Sequence, residues 1–366
     1  MTPQTHMAND KTLLRMEDVS IVFSSPDEAD IEAVRQVDFT LTRGKTLALV
    51  GESGCGKSVT ARTILRLLDK NARIPSGRIL FSHGDGETTD IAMLKPDSTA
   101  MRSIRGNKIS MIFQEPMSSL SPVHTIGAQI DEMILLHENL DKKGARARTI
   151  ELLEQVGIPG ARQRADTYPF QLSGGLRQRA MIAMALACKP DLLIADEPTT
   201  ALDVTTQAQI LDLLRSLRDE FGMAMLFITH DLGVVAEIAD EVAVMYLGDV
   251  VEQGDVFEVF KSPQHPYTRA LMSSIPRMTR HADRQRLNPI QGSVPSPKNR
   301  PSGCAFTTRC PHAFEPCASV RPGPTGTSGN HWARCHLLTD PQAPRVDGLI
   351  QPKAEGTPNA YQGDRT

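Results

Sequence analysis

The chain has 366 residues, of which 40% are hydrophobic and 23% are charged, and its formal net charge at pH 7 is -3. This composition is typical of a globular protein with room for more than one domain. The charge offers no basic excess for binding nucleic acid, and no apolar run approaches the roughly 20 residues that span a bilayer. The polar segment 1–11 lacks the apolar core of a signal peptide, so we expect the chain to stay in the cytoplasm.

Strands and helices alternate along residues 13–238, which predicts an α/β core. Strands are expected where apolar residues alternate or form short runs, and helices where they recur every three or four positions. In chain order the predicted elements are strands at 13–23, 37–41 and 46–50, a helix at 58–68, a strand at 108–113, two helices within 126–157, a helix at 177–188, a strand at 191–195, a helix at 204–217, a strand at 223–228 and a helix at 232–238.

The composition changes after about residue 261. Residues 288–303 are rich in Pro, Ser and Gly without periodicity, which predicts a loop. Four of the six cysteines follow, between Cys304 and Cys335. From Thr339 onward the chain is polar and rich in Pro and Gly, which predicts a disordered tail.

A glycine-rich segment joins the predicted strand at 46–50 to the helix that follows it, and it fits the pattern G-x-x-x-x-G-K-[ST]. The backbone N–H groups of such a loop turn toward phosphate oxygens, and the helix adds its positive end. Lys57 is expected to reach the β- and γ-phosphates, and the Ser58 hydroxyl to ligate Mg²⁺. An ordinary glycine-rich turn is the alternative, but the strand before and the helix after favour a phosphate site. The candidate nucleotide contacts are Gly51, Ser53, Gly54, Cys55, Gly56, Lys57, Ser58 and Val59, with Cys55 also interpreted as a packing residue.

Two adjacent acidic residues end the predicted strand at 191–195. The Asp196 carboxylate is placed to hold Mg²⁺ through water, and Glu197 to orient or deprotonate an attacking water. A pair of solvated acids is the alternative, and the phosphate loop favours the catalytic interpretation.

The segment LSGGLRQR, residues 172–179, lies between the phosphate loop and the acidic pair. The order of phosphate loop, Gln114, LSGGLRQR, acidic pair and His230 resembles the ATPase subunit of an ABC transporter, over nearly all of the chain up to about residue 337. The resemblance implies a P-loop NTPase fold, with an α/β ABC ATPase core, an inserted helical subdomain and a small C-terminal cysteine-containing extension. The implied domains are a nucleotide-binding domain at 1–261, with the helical subdomain at about 115–180, an extension at 262–337 and a tail at 338–366.

The resemblance also implies roles for individual residues. Glu197, His230 and Gln114 would be catalytic, with His230 contacting the γ-phosphate and Gln114 linking the nucleotide to the membrane subunit. Mg²⁺ would be held by Ser58, Gln114 and Asp196. Ser173, Gly174 and Gly175 would close over ATP bound to the opposite subunit. Asp203 would lie in the D-loop, residues 198–203, which follows the acidic pair. Phe23 is a candidate to stack on adenine, and a core strand residue is the equal alternative.

Three further segments resemble the peptide and nickel importer ATPases, and specifically the first of two paired ATPase subunits. The segments are 113–122 (FQEPMSSLSP), 265–271 (HPYTRAL) and the cysteine-bearing stretch that begins at Gly303. Such a subunit would pair with a paralogous ATPase as a heterodimer under two transmembrane permeases, peripheral to the cytoplasmic face of the inner membrane. An extracytoplasmic substrate-binding protein would deliver the solute.

The transported solute stays open, since dipeptides, longer peptides, glutathione and nickel are all carried by machines of this kind. A different class, a soluble ABC ATPase acting on nucleic acid or ribosomes, usually carries two cassettes or a long coiled coil. This chain has one phosphate loop, one LSGG and no heptad run, so we expect no nucleic-acid partner.

The four clustered cysteines, Cys304, Cys310, Cys317 and Cys335, follow the spacing C-x5-C-x6-C-x17-C. This is neither the spacing of a zinc ribbon nor that of a ferredoxin, so spacing alone predicts a metal site of unknown type. The family resemblance implies a structural [4Fe-4S] cluster. Zinc is the alternative, with His312, His331 or His336 as stand-in ligands, and unligated thiols are a further one.

Overall fold

The computed structural model describes residues 11–25, 28–84, 86–115, 119–200, 202–274 and 290–351. The predictions for residues 1–10 and for 352–366 of the tail therefore lie outside the described residues. The chain divides into two compact units, at residues 1–249 and 250–366. The division falls earlier than the predicted boundary at 261/262, because the strand that begins at Asp249 continues into the second unit.

Nine strands and eight helices are described in the first unit. The strands are β1 (Thr12–Ser25), β2 (Glu28–Thr42), β3 (Thr46–Val50), β4 (Ala72–Ser82), β5 (Thr88–Asp90), β6 (Ile109–Ile112), β7 (Leu192–Asp196), β8 (Ala224–Thr229) and β9 (Glu241–Tyr246). The helices are α1 (Lys57–Ile64), α2 (Thr99–Ile104), α3 (Ile126–His137), α4 (Lys142–Gln155), α5 (Ala161–Arg164), α6 (Gly174–Ala185), α7 (Val204–Phe221) and α8 (Leu232–Ile238). The predicted α/β core is confirmed.

The central sheet of this unit is parallel, in the order β9-β3-β8-β7-β6. Its β3, β7 and β8 strands are buried along their whole length, as expected for a sheet covered on both faces. The register pairs Val50 with Thr229 and Asp196 with Ile228. The loops that follow β3, β7 and β8 therefore leave the sheet side by side.

A second, antiparallel sheet has the order β2-β1-β4-β5. The sequence did not predict β4 or β5, since the buried residues of β4 occur only near its end, at Ile79, Leu80 and Phe81. β9 was also missed, although its run Val242–Tyr246 is buried throughout.

The helices α3 to α6 lie in the segment between β6 and β7, where the helical subdomain was predicted. Each long helix begins at a side-chain cap: Thr125 accepts from the Ala128 N–H at 3.3 Å, and Asp141 from the Gly144 N–H at 2.7 Å. Such caps satisfy N–H groups that have no partner within the helix. Among the described residues no helix combines the length and apolar composition needed to cross a bilayer.

The second unit is built on three short antiparallel strands. They are β10 (Asp249–Asp255), β11 (Thr325–Ser328) and β12 (His331–Ala333), in the order β11-β12-β10, with helices α9 (Val256–Lys261), α10 (Pro266–Ser273) and α11 (Glu315–Ser319). Part of the predicted disordered tail belongs to this unit. Ala343, Val346 and Leu349 pack against the buried Leu337 and Leu338, so the prediction of disorder is wrong for this stretch.

A buried glutamate organises the second unit. Glu252 is fully buried, and its Oε1 accepts from the Gln264 N–H at 2.6 Å while Oε2 accepts from the His265 N–H at 2.8 Å. His331 Nε2 lies 2.7 Å from Oε1 and is equally buried. The carboxylate thus fixes the turn that precedes α10 and ties it to β12. His331, a candidate zinc ligand, is engaged here instead.

We expect Glu252→Ala to destabilise the second unit by about 3–5 kcal/mol, because it leaves two buried N–H groups and a buried histidine without their acceptor. The effect is measured by denaturant unfolding of the whole chain, with limited proteolysis used to detect cleavage within residues 250–351. Glu258→Ala is the matched control, because the Glu258 carboxylate accepts from the Ser328 hydroxyl at 3.3 Å in an exposed position. This substitution should change stability by less than about 0.5 kcal/mol. Equal effects of the two substitutions would contradict this role.

Candidate nucleotide-binding site

The loop between β3 and α1 has a backbone that only glycine adopts easily. Gly51, Gly54 and Gly56 have φ angles of 152°, 79° and 104°. A Cβ atom at Gly51 would collide with the carbonyl oxygen of Met245, and one at Gly56 would lie 2.9 Å from the carbonyl oxygen of Ala33. The loop is therefore held closely between neighbouring strands, with two of its glycines required for space as well as for conformation.

Lys57, the first residue of α1, folds back over this loop. It is 5% exposed, and its Nζ donates to the carbonyl oxygens of Gly51 at 2.8 Å and Glu52 at 3.0 Å. Gly56 provides no side-chain cap to α1, so the positive end of the helix is presented by backbone N–H groups and by the ammonium group. This arrangement suits an anion such as a phosphate.

A hydrogen bond joins Ser58, at the start of α1, to Asp196, at the end of β7. Ser58 Oγ donates to Asp196 Oδ1 at 3.0 Å, and the Asp196 side chain is almost fully buried. Burial raises the pKa of this carboxyl, and the hydrogen bond from Ser58 opposes that rise, as do the charges of Arg62 and Lys57. A bound divalent cation would favour the carboxylate form, so the pair has the chemistry of a magnesium ligand set.

Three side chains, two of them from other segments of the chain, converge on the Glu197 carboxylate. Its Oε2 accepts from Gln114 Nε2 at 3.1 Å and from Thr200 Oγ1 at 2.9 Å, and its Oε1 lies 3.3 Å from His230 Nδ1. Its backbone has the unusual φ of 48°, and its N–H donates to the Ile228 carbonyl at 2.9 Å. Strain of this kind concentrates at functional sites.

The structure therefore brings Gln114, Glu197 and His230 together, and places Ser58 beside Asp196. The sequence did not predict the participation of Thr200. The available signal was its position three residues after Glu197, where a tight turn returns a side chain toward the carboxylate: the Thr200 N–H donates to the Glu197 carbonyl at 3.2 Å.

The LSGG segment begins α6. Ser173 Oγ accepts from the Leu176 N–H at 3.4 Å, which explains why the helix starts at Gly174 rather than at 177 as predicted. A side chain at Gly174 would meet open space, whereas one at Gly175 would lie 2.9 Å from Thr206 Cγ2. The tip thus presents backbone and the small side chain of Ser173.

Asp203 caps α7, and the Thr206 N–H and hydroxyl donate to its two oxygens at 2.9 and 2.7 Å. These bonds hold the pKa of Asp203 below its ordinary value. Cys55 is buried, and burial raises the pKa of its thiol, in agreement with a packing residue. Phe23 lies on β1 opposite Ile31 and Ala72 and is partly exposed; its stacking on adenine stays a prediction, as do contacts from Ser53 and Val59.

All four clustered cysteines lie in the second unit as free thiols. Burial raises the pKa of Cys310 to about 11 and that of Cys335 further, and the other thiols add to the rise at Cys335. Among the described residues, however, no group of three or more His, Cys, Asp or Glu side chains is arranged to hold a metal ion. His336, another candidate ligand, has its Nε2 2.7 Å from the Val320 carbonyl oxygen. The predicted metal site is not confirmed.

Comparison with known proteins identifies the family. Residues 34–200 match the ABC transporter family model, and residues 251–317 match that of the oligopeptide/dipeptide transporter C-terminal region. A Brucella ovis peptide import ATP-binding protein is 54% identical over 311 residues, which cover 84% of this chain and 91% of the relative. An oligopeptide transport ATP-binding protein of Bacillus subtilis is 48% identical, with 90% and 98% covered.

A solved ABC cassette dimer, bound to ADP and Pi in a post-hydrolysis state, has a TM-score of 0.58 and 27% identity over 67% of this chain and 99% of that one. The chain therefore belongs to the ABC transporter family of ATP-binding proteins, and it is an ATPase of that family. The predicted resemblance is confirmed, and so is the fold class apart from the small C-terminal cysteine-containing extension, which stays a prediction.

We expect Gly51→Ala to weaken ATP binding by an amount on the order of tenfold or more, because the new methyl group forces the loop away from the Met245 carbonyl. Titration with a fluorescent ATP analogue measures the affinity. Gly323→Ala is the control, since a Cβ there meets open space in the other unit. An unchanged affinity in the Gly51 variant would show that phosphates are not bound by this loop.

Proposed function

We propose that this chain powers the import of peptides through an ABC transporter, by hydrolysing ATP at a site shared by two ATPase subunits. The observation that carries the proposal is the match of residues 251–317 to the oligopeptide/dipeptide transporter C-terminal region. Relatives of nearly equal length are named as peptide, dipeptide and oligopeptide transport ATP-binding proteins, which supports peptides as the solute.

The residues of the site have the chemistry that each step needs. Lys57 and the N–H groups around it would bind the β- and γ-phosphates, and Ser58 with Asp196 and Gln114 would hold Mg²⁺. Lys57 already donates to two loop carbonyls, so binding exchanges those acceptors for phosphate oxygens. Glu197 would orient the attacking water, and His230 would contact the γ-phosphate.

The second subunit supplies the remaining contacts in this proposal. Ser173, Gly174 and Gly175 would cover the γ-phosphate bound to the opposite subunit, and Asp203 would lie at the same interface. A paralogous ATPase, two transmembrane permeases and an extracytoplasmic binding protein complete the machine. The chain would then be peripheral to the cytoplasmic face of the inner membrane.

The transport proposal is tested in the assembled complex with permeases and binding protein. We expect peptides to stimulate ATP hydrolysis, and Glu197→Gln to abolish turnover while ATP binding is kept, because the substitution removes the charge and leaves Asp196 in place. Gly323→Ala is the matched control. Nickel and glutathione are supplied separately in the same assay. Stimulation by either one but not by peptides would reassign the solute, and full activity of the isolated chain without any solute would contradict coupling to transport.

We also propose that the four clustered cysteines have a structural role, as the ligands of one [4Fe-4S] cluster. Backbone contacts tie their segments together: the Cys304 N–H donates to the Cys317 carbonyl at 2.9 Å, and His336 contacts Val320. Gly303 packs so closely on this segment that a Cβ would collide with the Cys317 carbonyl oxygen. A cluster is larger than one ion, so its thiolates stand farther apart than the ligands of a single metal. Ligand bonds would stabilise a unit with short strands.

Anaerobic purification is expected to give a brown protein with about four irons per chain, the content of a Cys-ligated [4Fe-4S] cluster. Cys317→Ser should lower the iron content and the visible absorbance. Cys188→Ser, at a buried thiol of the first unit, should leave both unchanged. Zinc without iron would keep the site and change the metal, whereas four titratable thiols and no metal would refute the proposal.

A further inference from the structure

The carboxylate of Glu197 receives its hydrogen bonds from two kinds of neighbour. Gln114 follows β6 and His230 follows β8, so both reach Glu197 from other strands of the sheet. Thr200 belongs to the same turn as Glu197 and is joined to it twice, by the backbone bond at 3.2 Å and by the hydroxyl bond to Oε2 at 2.9 Å. Glu197 and Thr200 are therefore one local structure.

We propose that Thr200 is the positioning residue of Glu197, and that its hydroxyl fixes Oε2 so that Oε1 faces the attacking water. This inference rests on the roles proposed above for Glu197, Gln114 and His230. Gln114 and His230 reach the carboxylate from other strands, and each is also assigned a contact with Mg²⁺ or with the γ-phosphate. Thr200 comes from the same turn as Glu197, so its hydrogen bond does not depend on what those two side chains contact.

The chemistry of the hydroxyl suits this task. An ionised carboxylate accepts hydrogen bonds and donates none, so Thr200 Oγ1 must be the donor. Such a donor is compatible with the ionised carboxylate that a water-orienting base requires. A carboxylate with one oxygen held by a hydrogen bond has lost rotational freedom before the reaction. Because the group is already oriented, less entropy is lost in the transition state and the rate is higher. The backbone of Glu197, with its φ of 48°, already restricts the side chain.

The test compares Thr200→Val, which keeps the shape and removes the donor, with Thr200→Ser, which keeps the donor. In the peptide-stimulated complex, Thr200→Val should lower kcat roughly tenfold, as expected for losing a hydrogen bond to a charged group, while KM for ATP stays unchanged. Thr200→Ser should restore kcat, and Thr205→Val, at an exposed position, should behave as the unaltered protein.

A merely structural role would lower ATP binding or the amount of complex, while kcat per assembled complex would stay normal. Thr200→Ala serves as a second variant if Thr200→Val assembles poorly. Normal kcat in a well-assembled valine or alanine variant would overturn the inference, and so would failure of serine to rescue. Glu197→Gln is measured in parallel: if that variant keeps normal turnover, the proposed role of Glu197 fails, which is a different result from the failure of Thr200 alone.

Discussion

The parallel pairing of β3, β7 and β8 is the constraint on which the site depends. Because Val50 is paired with Thr229 and Asp196 with Ile228, the residues just beyond these strands emerge at the same edge of the sheet. The phosphate loop, Glu197 and His230 come from distant parts of the sequence, and this register alone brings them together. A shift of one residue in β7 would turn its side chains to the opposite face and separate Asp196 from Ser58.

The charged side chains of the site are positioned by hydrogen bonds to their immediate neighbours rather than by the net charge of the protein. The ammonium group of Lys57 donates hydrogen bonds to two loop carbonyls, and the carboxylate of Glu197 is contacted by three polar side chains. Both groups are therefore restrained in place before any phosphate is bound, and the exchange of partners costs less than desolvating free charges would. The net charge of -3 plays no direct part in this arrangement.

The sequence predicted those features that a local pattern encodes. The spacing of Gly51, Gly56 and Lys57 encodes a loop geometry, and the apolar run before Asp196 encodes a buried strand. The contacts of Glu252 were not predictable, because they join segments that are far apart in the sequence. The contact of Thr200 had a local signal, its position three residues after Glu197, but that spacing alone does not show that the turn closes onto the carboxylate. The packing of residues 338–351 was missed for a related reason: three separated apolar residues, Ala343, Val346 and Leu349, bury surface only when Leu337 and Leu338 are already in place.

The most direct measurement is an experimental structure of the Glu197→Gln protein with ATP and Mg²⁺. The proposed mechanism predicts that Lys57 Nζ leaves the carbonyl oxygens of Gly51 and Glu52 for the β- and γ-phosphates, and that Mg²⁺ lies between Ser58 and Asp196. It also predicts that the side chain at position 197 faces the γ-phosphate. ATP bound elsewhere, or a Lys57 that still contacts its loop carbonyls in the presence of ATP, would contradict the central claim that this sheet edge is the site of hydrolysis.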